Sequence, residues 1–161
     1  MKKFDESNCA EGTLEKMKNV RIAVANDHTA TQLKEAIIEH IKGKHFIVTD
    51  MGTSPEYPDG AFQVAKSIQE GNHDIGLLLC GTGAGMCYAA NKMRGIRAVV
   101  CSEPYTARLA REHNNAHILC IGARVVGTEL AKMMVDAFLD AEFEGGRHQA
   151  RVEKFMNFEN M

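Results

Sequence analysis

The segment Cys80-Gly81-Thr82-Gly83-Ala84-Gly85-Met86 follows the apolar run Ile75-Gly76-Leu77-Leu78-Leu79. This order reads as a buried strand that ends on a thiol and passes into a glycine-rich turn, which opens a helix. In open α/β sheets, ligands bind beyond the carboxyl ends of the strands. Glycines there let backbone N–H groups approach an anion, and a helix N-terminus adds positive potential. The same surroundings favour thiolate over thiol at Cys80. An ionisable sulfur beside an anion hole suits proton abstraction next to a carbonyl. Negative charge then develops on oxygen, where fixed N–H donors stabilise it.

Other polar groups fall after predicted strands: Asn26-Asp27-His28, Ser102-Glu103 and Gly122-Ala123-Arg124. Asp27 and His28 offer a carboxylate and an imidazole for proton transfer or anion binding. Taken alone, they read more simply as a helix cap followed by an exposed histidine. His113 precedes Asn114 and Asn115, which marks a helix end. A histidine there is commonly just a favourable C-terminal charge. Arg147 and Arg151 follow Gly145-Gly146 and share one face if helical. Two guanidinium forks suit a phosphate, and a solvated basic face is the plainer alternative. The glycines at 81, 83 and 85 have neither the position nor the spacing of a dinucleotide fingerprint, and no P-loop lysine follows. A nicotinamide cofactor and nucleotide hydrolysis are therefore not expected.

Short apolar runs positioning these groups alternate with helical patterns. Strands are predicted at Val20–Ala25, His45–Asp50, Asp74–Cys80, Ile96–Cys101 and His117–Ile121. Helices are predicted at Thr31–Ile41, Ala61–Glu70, Ala84–Met93, about Pro104–His113, Gly127–Leu139 and Gln149 to about Phe158. In the fifth helix, Leu130, Met133, Met134, Ala137 and Phe138 form the expected apolar face. Five strands alternating with helices predict an α/β fold whose parallel sheet is covered on both faces. Residues 1–19 read as a polar N-terminal extension, and residues 20–161 as a single domain.

A net charge of −2 gives no basic surface for nucleic acid or anionic membrane. No apolar run approaches a bilayer span, and the N-terminus lacks the core of a signal peptide. The five cysteines (Cys9, Cys80, Cys87, Cys101, Cys120) form no CxxC pair. They read as reduced thiols of a cytoplasmic protein. Cys87, Cys101 and Cys120 read as small buried hydrophobes.

Several segments together resemble the ribose-5-phosphate isomerase B family, which also contains galactose-6-phosphate isomerase subunits. They are Asp27-His28, Cys80 to Met86, Ala89-Ala90-Asn91-Lys92, Gly95-Ile96-Arg97-Ala98 and Pro104-Tyr105-Thr106-Ala107-Arg108. Arg111-Glu112-His113-Asn114, Gly122 to Gly127 and Phe143-Glu144-Gly145-Gly146-Arg147-His148 complete the set. The resemblance implies a Rossmann-like three-layer α/β/α sandwich with a five-stranded parallel sheet. It implies a homodimer with shared active sites, with a tetramer as a larger form. The implied activity interconverts aldose and ketose phosphates without a metal or other cofactor.

By the same resemblance, Cys80 is the base moving a proton between C1 and C2. Asp27 and His113 match positions tied to opening the sugar ring, with Thr82 nearby. Backbone donors in the Gly81, Gly83 and Gly85 turn would hold the enediolate oxygens. His28, Arg124, Arg147 and Arg151 match phosphate-binding positions, and Asn114 a substrate-contacting one. His113, Asn114 and Arg124 would reach across from the partner subunit. Met86 stands where some members carry a carboxylate base. The loop Gly52 to Asp59 is shorter than usual for the family, and Ala30 stands where glycine is frequent.

The leading expectation is isomerisation of D-ribose 5-phosphate. The alternatives are another sugar phosphate (a tetrose, allose 6-phosphate or galactose 6-phosphate), a non-catalytic phosphosugar-binding protein, or a redox-sensing thiol at Cys80. A pure binding module would need neither the thiol nor His113.

Overall fold

The computed structural model describes residues 20–44 and 46–159. The predicted extension over residues 1–19, Cys9 within it, and His45 lie outside them. The strands are β1 (Arg21–Asp27), β2 (Ile47–Ser54), β3 (Ile75–Cys80), β4 (Ala98–Cys101) and β5 (Ile118–Gly122). The helices are α1 (Thr31–Lys42), α2 (Tyr57–Gln69), α3 (Ala84–Asn91), α4 (Pro104–Asn114), α5 (Thr128–Leu139) and α6 (Arg147–Phe158). All strand pairs are parallel, in the order β2-β1-β3-β5-β4.

Period-two alternation divides the core. Ile22 and Val24 of β1, Leu77 and Leu79 of β3, and Leu119 and Ile121 of β5 pack with α1, α4 and α5. Ala23, Ala25, Leu78, Cys80, Ile118 and Cys120 pack instead with α2 and α3. Both faces of the central strands are buried, as a parallel sheet between helical layers requires. Small residues dominate the second face. A Cβ on Gly76 would come within 2.6 Å of Val64, so α2 lies close against β3.

Several boundaries move from their predicted places. β1 runs on through Asn26 and Asp27, both buried. β2 extends to Ser54 because of a β-bulge: Val24 pairs with Asp50 but Asn26 with Thr53, so two residues of β2 oppose Ala25. Gly52 takes φ +94 there, a backbone state that glycine reaches without steric cost. Thr53 Oγ1 then donates to Asn26 Oδ1 at 3.0 Å. Pro58 sits in the first turn of α2, which therefore starts at Tyr57 rather than Ala61. The buried face of α5 is Ala131, Met134, Val135 and Phe138, while Met133 is 58% exposed. Glu103 is a helix cap: its carboxylate accepts from Thr106 N at the start of α4.

Candidate active site

The order of strands reverses at β1. Its successor β2 lies on one side and β3 on the other, so a crevice opens beyond their carboxyl ends. Asp27 closes β1 and Cys80 closes β3 at this switch point.

The turn after β3 is built around the thiol. Gly83 takes φ +80 and is the N-cap of α3. A side chain there would also come within 2.9 Å of Val100. In this conformation the Gly83 N–H donates to Cys80 Sγ at 3.2 Å. Cys80 is 4% exposed, so this donor and the start of α3 face the sulfur with little competing water. Thr82 is exposed, and its Oγ1 accepts from Ala84 N at 3.3 Å.

The loop after β5 locks onto the same turn. Ala123 N donates to Cys80 O at 2.8 Å, and Arg124 N to Gly81 O at 3.0 Å. Gly122 admits this approach, since a Cβ there would lie 2.7 Å from the Thr82 carbonyl. A Cβ on Gly81 would touch Thr29 Oγ1 at 3.6 Å and Arg124 Cδ at 3.7 Å. Asp27, Cys80, the glycine turn and Arg124 thus share one end of the sheet.

Asp27 does not cap α1. Its Oδ1 accepts from the backbone N–H and hydroxyl of Thr29, while the N-cap is Ala30, with no side-chain cap bond. His28 is exposed beside it. Tyr57 lies over the turn: a Cβ on Gly85 would strike its ring at 2.7 Å. The other described thiols have different surroundings. Burial pushes Cys101 up to about 12 and drives Cys120 upward too, which suits inert packing. Cys87 donates to Ala98 O at 3.5 Å.

His113 and Asn114 are elsewhere. They end α4, which starts beyond β4 and runs back for about 16 Å to the amino ends of the strands. Arg97, just before β4, donates to the carbonyls of Asn114 and Asn115 there. A second cluster forms at this end. His113 stacks on His148, with centroids 4.1 Å apart and planes inclined by 8°. Glu144 Oε2 lies 3.9 Å from His113 Nε2 and 3.4 Å from His148 Nε2. Arg147 Nε donates to His148 Nε2 at 3.2 Å. Lost hydration, then His113 and Arg147, hold the buried His148 imidazole below its ordinary range. Gly145 and Gly146, at φ +63 and +53, turn the chain into α6, and Arg147 and Arg151 stand exposed on its first turns.

His113, Glu144 and His148 are the ligand-type side chains that converge among the described residues. A metal would need to lie in both ring planes at about 2.0–2.1 Å from each nitrogen. Stacked, nearly parallel rings cannot both aim a lone pair at one ion. The trio is arranged for hydrogen bonding and charge pairing. Sequence reading did not assign roles to Glu144 and His148, although their four-residue spacing was a signal.

Comparison with known proteins agrees with this architecture. A family model described as Ribose/Galactose Isomerase matches residues 22–155. The chain belongs to this family. It is 53% identical over 137 residues to the ribose-5-phosphate isomerase B of Escherichia coli, covering 83% of this chain and 92% of that protein. It is 47% identical over 144 residues to the D-erythrulose-4-phosphate isomerase of Pectobacterium atrosepticum, covering 86% and 95%. Among solved structures, Clostridium thermocellum ribose-5-phosphate isomerase B superposes with a TM-score of 0.85 at 46% identity, over 88% of this chain and 98% of that one. The Mycoplasma genitalium enzyme, solved with bound ribulose-5-phosphate, gives 0.82 at 45% identity, over 88% and 97%. The Rossmann-like three-layer sandwich is therefore the family's fold as well as this chain's.

Proposed function

We propose that this protein is an aldose–ketose isomerase of phosphorylated sugars that converts D-ribose 5-phosphate to D-ribulose 5-phosphate without a metal. The observation that carries the reading is the Cys80 sulfur at the switch point, facing the Gly83 N–H at 3.2 Å. Cys80 removes the C2 proton of the open-chain aldose, and the electron pair passes to the carbonyl as a C1–C2 enediolate forms. Returning a proton to C1, with a hydroxyl proton moving from O2 to O1, completes the ketose. Backbone donors of Gly81, Gly83 and Gly85 stabilise the enediolate oxygens. Before this step the furanose opens: C1–O4 breaks, O1 loses a proton and O4 gains one. Asp27 takes the first proton and His113 supplies the second, with Thr82 beside the reacting end. His28, Arg124, Arg147 and Arg151 hold the phosphate, and Asn114 contacts the sugar. The remote grip orients the reacting carbons.

These residues stand at opposite ends of one sheet. A second copy of the chain that brings its His113 end to the first copy's Cys80 end assembles them, so the reading includes a homodimer with shared sites. None of the described helices is long and apolar enough to cross a membrane.

The test is isomerisation of D-ribose 5-phosphate in a chelator, with wild type beside Cys80→Ala. Wild-type turnover that disappears in Cys80→Ala, with sugar-phosphate binding retained, is expected. Turnover by Cys80→Ala refutes the base. A second reading, a different sugar phosphate, is favoured by one observation. Only Pro55 and Glu56 separate β2 from α2, so little chain is available there to contact the substrate. A folded wild type inactive on ribose 5-phosphate but active on a tetrose or hexose phosphate would select it.

A further inference from the structure

The cluster around His113 contains two side chains that the reaction steps above do not use. We propose that Glu144 is a positioning residue for ring opening: with His148 it holds the His113 imidazole in the orientation that delivers its proton. The inference rests on the proposed role of His113.

Three contacts carry it. First, His148 fixes the plane of the His113 ring by stacking at 4.1 Å and 8°. His148 is itself immobile, buried to 4% exposure at the start of α6. Second, Arg147 Nε–H donates to His148 Nε2 at 3.2 Å, which makes that nitrogen an acceptor. Glu144 Oε2 lies 3.4 Å from that nitrogen and 3.9 Å from His113 Nε2. With the His148 Nε2 lone pair taken by Arg147, the His113 Nε2–H is the ring proton the carboxylate can pair with. Third, Glu144 does not depend on its side chain for its place. Its backbone N–H donates to Glu112 O at 2.9 Å, tying the loop before α6 to the residue preceding His113.

Glu144 faces the His113 imidazole directly, and Arg147 reaches it through His148; the carboxylate next to His113 in sequence is Glu112. Arg108 lies 3.9 Å from Glu112 and engages it. Glu144 is therefore the carboxylate left to pair with the imidazole. A ring held by a stack on its face and a carboxylate at its edge loses little freedom when the sugar arrives.

The two directions of the reaction separate this role from a structural one. D-Ribose 5-phosphate must open before Cys80 can act. D-Ribulose 5-phosphate is already open, because phosphate blocks its O5 and no furanose can form. In that direction the aldehyde product can leave open and close in solution. Glu144→Gln is expected to lower the initial rate from ribose 5-phosphate about tenfold, the scale of one lost charge-assisted contact. The initial rate from ribulose 5-phosphate should fall far less. Glu144→Asp, which keeps the carboxylate, should recover much of the forward rate.

His113→Gln, run alongside, should show the same split more strongly. At high enzyme concentration its forward rate should level off at the spontaneous rate of ring opening. An equal fall in both directions for Glu144→Gln, or an Asp variant as slow as Gln, overturns the positioning role. No split in His113→Gln overturns the ring-opening role of His113 itself, a separate and distinguishable failure. If Glu144→Gln does not fold, His148→Ala decides. His148→Ala removes the ring that stacks on His113, and a split intermediate between wild type and His113→Gln supports the arrangement. Wild-type behaviour of His148→Ala overturns it.

Discussion

Arg147 and Arg151 show how much a single side chain can be asked to do. Both are exposed and four residues apart on α6, and Arg147 also donates its Nε–H to His148 at 3.2 Å. A guanidinium bonded to phosphate contributes about 1.5–3 kcal/mol, or roughly a 10- to 100-fold effect on binding. Arg151→Ala should therefore raise KM for ribose 5-phosphate by about that factor, with a much smaller change in kcat. Steady-state kinetics decide, and an unchanged KM removes Arg151 from the phosphate site. Cys80 is the opposite case: its loss should leave binding and remove turnover. The types of these residues were readable from the sequence. The sequence could not show that Asp27 folds onto Thr29 instead of capping α1, because both uses satisfy a carboxylate with nearby N–H donors.

At the level of elements, the amino ends of the strands are a structural counterpart to the reactive carboxyl ends. His117, just before β5, accepts from Arg97 N and faces Arg97 Nη2 at 3.0 Å. Burial, then the charges of Arg97 and Arg111, pushes its imidazole down to about 4. An unfolded histidine titrates near ~6.5, so the unfolded chain binds the proton first as pH falls. The stability His117 lends is complete above about pH 6.5, declines between about 6.5 and 4, and changes no further below that. Urea midpoints measured at pH 7 and pH 5 and at fixed protein concentration should fall for wild type and fall less for His117→Gln. Equal falls would show that other groups set the acid limb. Periodicity placed all five described strands and all six described helices, because both faces of β1, β3 and β5 are apolar and the helices carry 3.6-residue stripes. It missed the last residues of β2, since a bulge at Gly52 breaks the alternation on which strand reading depends. It also misplaced the face of α5: Met133 and Leu130 fit an apolar stripe, but the sheet buries the stripe one residue on, through Ala131 and Val135.

For the whole molecule, the decisive feature is the length of the sheet between Cys80 and His113. The proposed sharing of sites makes a prediction that single-chain chemistry does not. Cys80→Ala should be inactive on ribose 5-phosphate, and His113→Ala should be held to the slow rate of spontaneous ring opening. Unfolded together and refolded as an equal mixture, they should regain about one quarter of wild-type activity, because half the dimers are hybrids and each hybrid holds one intact site. No recovery from mixed, folded chains would mean that each site draws on one chain alone. The sequence by itself determined the class of fold, the thiol at a strand end and the donors that surround it. Those follow from local patterns: apolar runs make strands, and glycines permit a left-handed N-cap where backbone N–H groups turn toward sulfur. Only the tertiary structure decided which groups meet. Strand order set the crevice between β1 and β3. The run of α4 carried His113 away from Cys80, and the turn at Gly145-Gly146 stacked His148 on it beside Glu144. Such contacts depend on how distant segments pack, a property that no window of the sequence contains.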